Sequence, residues 1–220
     1  MITTSKPHFL LSALAAGLVL GLAGRLPAQT FNVLYTFTSR DMNFNSDGAG
    51  PYGRLVLSGN NLYGTAAFGG SSAYGTAFRV STDGTDFTTL YNFTGGSDGG
   101  FPGLGGISGY GGSPGYGLVL SGDALYGTAQ ISSGGGGTVF TLNTDGTRFA
   151  TLHNFAPIIN NGGSPPYPNS DGHEPSAGLL LAGDTLYSVT VGGGSGATVR
   201  FTRSPPTAAV SPPCTTLRAA

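Results

Sequence analysis

The chain has 220 residues with 40 glycines, 14 prolines, one cysteine and no tryptophan, and nine basic side chains against ten acidic ones give a formal charge of −1. So low a charge excludes the basic footprint that nucleic acid requires, and a single thiol, Cys214, excludes an internal disulfide framework. Abundant glycine with only 9% charged residues fits a disordered chain, yet aromatic and branched residues recur in register, a phase that disorder has no reason to keep.

Residues 1–28 read as a secretory signal peptide. Lys6 and His8 give a weakly basic start, Phe9 to Ala23 is an apolar run of 15, and Ala28 supplies a small residue for cleavage. The run is short for a bilayer, which takes about 20 apolar residues. The mature chain is expected to begin near Gln29 and to reside in the secreted or cell-envelope fraction. From that point it carries seven arginines, no lysine and ten acidic residues, a formal charge of −3.

The mature region repeats itself three times. Leu55-Val56-Leu57-Ser58-Gly59-Asn60-Asn61-Leu62-Tyr63-Gly64-Thr65 returns as Leu118 to Thr128 and again, more altered, as Leu179 to Ser188. Tyr63 to Tyr126 is 63 positions and Tyr126 to Tyr187 is 61, a tandem period of the kind that repeat architectures show. The units are expected at about 31–85, 86–147 and 148–202.

Each unit breaks into four short runs rich in Val, Leu, Tyr, Phe and Thr and bounded by Gly, Asn, Asp and Ser, which predicts strands. In the middle unit these are Phe87–Phe93, Gly117–Ser121, Ala124–Ala129 and Gly137–Asn143. Gly59-Asn60-Asn61, Gly122-Asp123 and Gly183-Asp184 supply the positive φ of tight hairpins, and Asp83-Gly84-Thr85 and Asp145-Gly146-Thr147 do the same between the fourth run and the next first run. The expected unit is therefore a four-stranded antiparallel meander. Strands near 55–58, 61–66, 75–80 and 86–93 form its first set.

Length varies in one connection, over 39–52, 94–116 and 156–177, and an Asp-Gly-x-x-Pro-like element persists there: Asp47-Gly48, Pro51; Asp98-Gly99, Pro102; Asp171-Gly172, Pro175. Insertions confined to one connection project from one face of an array, often the binding face. The recurring Asp47, Asp98 and Asp171 are the ligand-binding candidates, able to meet cations or sugar hydroxyls with carboxylate oxygens. The competing reading is that each Asp caps its own turn. Tyr63, Tyr126 and Tyr187 recur within apolar strands and read as packing residues.

No catalytic or metal site is expected, and no cofactor. Gly95-Gly96-Ser97-Asp98-Gly99 and Gly111-Gly112-Ser113-Pro114-Gly115 match GxSxG, but the nucleophile elbow needs a preceding strand and a following helix. His153 stands where Tyr35 and Tyr91 stand in the other units. His173 lies beside Asp171 and the only glutamate, Glu174, in a slot held elsewhere by Ala49 and Gly100, so it reads as a loop substitution.

The Leu-Tyr-Gly-Thr blocks at 62–65 and 125–128, the Gly-Thr-Ala-Phe and Gly-Thr-Val-Phe blocks at 75–78 and 137–140, and Asp-Gly-Thr followed by Leu-Tyr-Asn-Phe at 90–93 resemble the GloVer, or choice-of-anchor, tandem repeat of bacterial exported proteins. That resemblance covers about 31–202 and implies propeller-type blades, a variable sorting anchor and no known catalytic residues. The chain departs from it in having three units, where closed propellers have about 4 to 8 blades, and no sorting tail is expected from the residues after Arg203.

The expected fold is all-β, a propeller-like array of three four-stranded antiparallel blades, incomplete or open. Residues 203–220, Pro-rich and aperiodic, are expected to be a disordered tail left by truncation or a frameshift. The expected role is binding or scaffolding at or outside the cell surface, with an extracellular carbohydrate or protein ligand, no nucleic acid and self-association through exposed blade edges. A fragment of a carbohydrate-active propeller enzyme is the alternative, poorly served by one glutamate.

Overall fold

The computed structural model describes residues 30–39, 45–102, 117–133, 135–157, 169, 171–175, 178–192 and 200–204. Residues 1–28, expected to be a signal peptide, Ser113 and residues 205–220 lie outside these. The chain divides into units 1–32 and 33–220, and every strand among the described residues belongs to the second.

Among the described residues there is no helix. The strands are β1 (Asn45–Ala49), β2 (Val56–Ser58), β3 (Asn61–Ala66), β4 (Phe68–Gly70), β5 (Thr76–Ser81), β6 (Phe87–Asn92), β7 (Gly100–Pro102), β8 (Val119–Ser121), β9 (Ala124–Ile131), β10 (Thr138–Asn143), β11 (Ala150–Asn154), β12 (His173–Pro175), β13 (Leu180–Ala182), β14 (Thr185–Gly192) and β15 (Arg200–Ser204). All pair antiparallel within their sheets. The first sheet has the order β2-β3-β5-β6. The second repeats it as β8-β9-β10-β11 and adds β7 beside the far end of β9; the third repeats it as β13-β14-β15 and adds β12 beside the far end of β14. In the first repeat the element equivalent to β7 is β1, which pairs β4, the continuation of β3.

The hairpin turns close where Gly59, Gly122 and Gly183 adopt φ of 56°, 57° and 58°, with open space around each. That is the left-handed backbone a two-residue loop needs. The sheets are out of phase with the sequence units by one strand: β6, which opens the second unit in sequence, is hydrogen-bonded into the first sheet, and β11 likewise into the second.

Alternation assigns the faces. Along β3, Tyr63 points one way and Leu62 with Ala66 the other; along β5, Ala77 opposes Phe78 and Val80. Tyr63, Ala77 and Phe93 join Leu118, Leu125, Phe140 and Leu142 in one buried cluster, so the first and second sheets pack face to face. The far face of the first sheet carries Ala66, Phe78 and Val80, covered by Tyr35, Phe37, Leu62 and Phe87. Glycine makes room for the rings: a Cβ on Gly64 or Gly127 would collide with Phe78 or Phe140 on the neighbouring strand. The third sheet follows the same register, but there Thr202 opposes Ser188, where Phe140 opposes Gly127. The last strand reaches Ser204, two residues past the expected end of the repeats.

Candidate functional site

The recurring aspartates sit at equivalent places and do the same work. Asp47 is 3% exposed; its Oδ2 accepts from the Tyr35 hydroxyl at 2.8 Å and the Thr38 N–H at 2.7 Å, and its Oδ1 from the Thr38 hydroxyl at 2.6 Å. Asp98 repeats this with Tyr91 at 3.1 Å, the Thr94 N–H at 2.9 Å and the Thr94 hydroxyl at 2.6 Å. Asp171 lies 2.9 Å from His153 Nε2 and accepts from the Ala156 N–H at 3.0 Å. His153 thus takes the Tyr position in function as well as in sequence. Each carboxylate clasps the end of an aromatic segment to the next Asp-Gly element.

The clasps move protons in a consistent way. Burial first, then the hydrogen bond and charge of Asp47, push the Tyr35 hydroxyl up to about 12. Burial and the charge and hydrogen bond of Asp98 push Tyr91 up to about 12 as well. Burial alone would raise Asp47 and Asp171, but hydrogen bonds from Thr38 and Tyr35 in one case, and from His153 and Ala156 in the other, hold both below the usual carboxylate range. With their oxygens engaged this way, Asp47, Asp98 and Asp171 serve as internal acceptors.

The turn-capping expected of these aspartates is performed by asparagine two residues earlier. Asn45 Oδ1 accepts from the Gly48 N–H and its Nδ2 donates to the Gly48 carbonyl; Asn169 does both with Gly172. In the second repeat Gly96 stands there and its backbone carbonyl accepts from the Gly99 N–H instead. Gly48, Gly99 and Gly172 have φ of 94°, 90° and 94°, and a Cβ on any of them would strike Thr76, Thr138 or Thr190. Two residues on, the backbone is left-handed again, at Gly50, Phe101 and Glu174 (φ 67°, 55° and 53°). This bend aims the Phe101 N–H at the Tyr74 carbonyl and the Glu174 N–H at the Gly136 carbonyl, both at 2.8 Å, tying each loop to the preceding repeat. It costs a non-glycine residue about 1–2 kcal/mol.

The remaining sequence candidates do not assemble. Ser97 is exposed, and its backbone carbonyl accepts from the Thr151 hydroxyl at 3.0 Å. His173 is buried on β12, paired to Gly192, with Nδ1 unpartnered among the described residues. Tyr63 and Tyr126 are core residues and Tyr187 is half-buried. Among the described residues no three His, Cys, Asp or Glu side chains come together as a metal set.

An aromatic patch lies at the loop end of the first two sheets, and sequence reasoning did not single it out. Phe68 sits 5.5 Å from Phe101 and 6.3 Å from Tyr52, and Tyr74 lies 5.6 Å from Phe101, as ring centroids. Tyr52 is 56% and Tyr74 36% exposed. At the next junction three of the four positions carry no ring: Gly136 stands for Tyr74, Ile131 for Phe68 and Glu174 for Phe101, while the counterpart of Tyr52 is Tyr116, outside the described residues. The inter-repeat hydrogen bond survives there, so the fold does not require the aromatics. Only the alignment of units could have found the patch, since its four residues come from three separate connections.

No curated protein matches the chain. The model of the Gloeobacter/Verrucomicrobia repeat matches residues 21–196, most of the sequence, and the chain belongs to that repeat family.

Proposed function

We propose that this is an exported repeat protein, its sheets blades of an open or incomplete propeller-type array, that binds an extracellular carbohydrate through the aromatic patch at their loop end. The observation that carries this reading is the asymmetry between junctions. Phe68, Tyr74 and Phe101 cluster beside Tyr52 where the next junction keeps its backbone with no ring at those three positions, and Tyr52 and Tyr74 are exposed; soluble proteins retain contiguous exposed apolar surface mainly for binding. Flat rings tipped with hydroxyls suit sugar faces. The surrounding Gly-, Ser- and Asn-rich segments add hydrogen-bonding groups without charge.

Export is supported by the basic start and apolar run of residues 1–28, and a surface role by the mature chain's lack of lysine and low charge. The test is pull-down on insoluble polysaccharides and titration with soluble oligosaccharides, using the mature chain and its Tyr52→Ala and Tyr74→Ala variants. Loss of one stacking ring should weaken binding about tenfold. No retention on any polysaccharide, or retention that both variants preserve, removes the proposal.

A further inference from the structure

Residues 31–37, Phe-Asn-Val-Leu-Tyr-Thr-Phe, read as a fourth strand without a sheet. The same pattern at 87–93, Phe-Thr-Thr-Leu-Tyr-Asn-Phe, pairs with β5 as β6, and at 149–155, Phe-Ala-Thr-Leu-His-Asn-Phe, pairs with β10 as β11. Residues 31–37 belong to no strand, and Val33 is 68% exposed. Residues 33–37 nevertheless hold the position that such a strand takes beside its neighbour. Tyr35 stacks on Phe87 at 3.7 Å and 7°, as Tyr91 stacks on Phe149 at 3.8 Å and 3°. Phe37 meets Phe78 edge-on at 5.3 Å, as Phe93 meets Phe140 at 5.0 Å. The Asp47 clasp matches the Asp98 clasp bond for bond. What β6 has and residues 33–37 lack, among the described residues, is a strand on the β5 side.

The third sheet offers that strand. β5 and β10 are each paired on both sides, whereas β15 is paired with β14 alone among the described residues. The sequence after Ser204 runs into Pro205 and Pro206, then Pro212 and Pro213, with no counterpart of the Phe-x-x-Leu-Tyr pattern. Proline has no N–H to give a ladder.

We propose that residues 31–37 of one copy of this chain complete the third sheet of a second copy by pairing antiparallel with β15. This goes beyond the binding reading and does not depend on it. Strand addition to an open edge supplies main-chain hydrogen bonds and buries what an edge exposes. The register follows from the first two sheets: Arg200 occupies the place of Thr76 and Thr138, and Thr36 that of their partners Asn92 and Asn154. The contact is head-to-tail, so it closes into a ring or runs on. Two copies bring six of the repeat sheets seen among the described residues, inside the range of about 4 to 8 at which propellers close, so a two-chain ring is the expected product.

The test uses the mature chain in light scattering coupled to gel filtration. The expected mass is twice that of one chain, falling to one chain for Asn32→Pro, which strips the N–H equivalent to that of Thr88 in the β5–β6 ladder. A Thr36→Cys, Arg200→Cys pair in a Cys214→Ser background keeps the proposal testable if that variant misfolds. Thr76 and Asn92 form a pair flanked by the hydrogen bond from the Phe93 N–H to the Gly75 carbonyl, the close non-hydrogen-bonded kind whose spacing suits a disulfide. Mild oxidation should link the two cysteines between chains. A larger closed assembly that Asn32→Pro dissolves upholds the strand exchange. A monomeric wild type at every concentration, an oligomer indifferent to Asn32→Pro with no interchain link, or a link within one chain overturns it.

Discussion

The second and third sheets share one plan and differ in what fills it. In the second, Phe140 lies over Gly127, Thr138 Oγ1 donates to the Asp98 carbonyl at 3.3 Å, and Tyr91 and Thr94 give Asp98 three hydrogen bonds. In the third, Ser188 replaces the glycine, Thr202 stands opposite it by register, Thr190 Oγ1 has no partner among the described residues, and Leu180 on the edge is 64% exposed. Asp171 keeps only two clasp bonds, because Ala156 has no hydroxyl. Asp, the following Gly and the backbone N–H that the carboxylate receives survive in all three repeats, while the Gly–Phe pair across the sheet does not. The carboxylate acceptor that fixes the chain path is kept even where its side-chain donors change from Tyr to His and from Thr to Ala, whereas a packing site is refilled outright.

The largest expected effect tests that ranking directly. Asp98→Ala strands the Tyr91 hydroxyl and the Thr94 N–H and should cost about 3 kcal/mol, since hydrogen bonds to a charged, buried acceptor contribute about 1.5–3 kcal/mol each before relaxation. Asp171→Ala, with two bonds and a side chain 17% exposed, should cost about half as much. Urea midpoints of the two variants decide it; equal losses would mean the third clasp is as strong as the second. Next comes Gly127→Ala, whose methyl meets Phe140 and Leu118 and should cost about 2 kcal/mol, the usual penalty for overpacking.

The strands and hairpins were legible in the sequence. Runs expected near 55–58, 61–66, 75–80 and 86–93 are Val56–Ser58, Asn61–Ala66, Thr76–Ser81 and Phe87–Asn92, because apolar spacing and Gly-Asp turns are local signals. The clasps were not. Asp47 and Tyr35 are 12 residues apart, and Asp171 and His153 are 18 apart, across the connection whose length varies most, so no fixed spacing announces the pair. The short β1, β7 and β12 were hidden for a related reason: an Asp-Gly-x-x-Pro element with two left-handed residues looks like a turn until a neighbouring strand is present to pair with it.

Alkaline pH separates the clasps. Tyr35 and Tyr91, raised to about 12 in the folded chain against about 10 in an unfolded one, contribute stability that is fully present below pH 10 and is lost as pH rises through about 12. The His153 clasp has no phenol to lose. Ultraviolet titration of tyrosinate should therefore place Tyr35 and Tyr91 among the late-titrating tyrosines, beside Tyr126, which burial also raises, and show one fewer in Tyr91→His, which copies the third clasp into the second. At the acid end the sign reverses. The depressed Asp47 and Asp171 stabilise above the unfolded value near 4 and release that contribution as pH falls through their folded values.

The smallest effect is expected at a feature that the first two sheets have and the third lacks in sequence. Asp83 accepts from the Ser81 hydroxyl at 2.6 Å and from the Thr85 N–H and hydroxyl at 3.0 and 2.8 Å, and Asp145 accepts from both groups of Thr147; after β15 the chain reads Pro205-Pro206 instead. Those bonds, led by the one from Ser81, depress Asp83 to about 2. Both aspartates are fully exposed, so water replaces most of what they lose, and neighbours screen the charge. Asp83→Asn should lower the thermal midpoint at neutral pH by less than Asp171→Ala does, and the difference from wild type should vanish as pH falls through about 2, where the wild-type carboxylate is itself protonated. A shift as large as that of Asp98→Ala would place the origin of the repeat's order in its exposed turns, and the contrast between the second and third sheets would then lie in the missing turn and not in the weakened clasp.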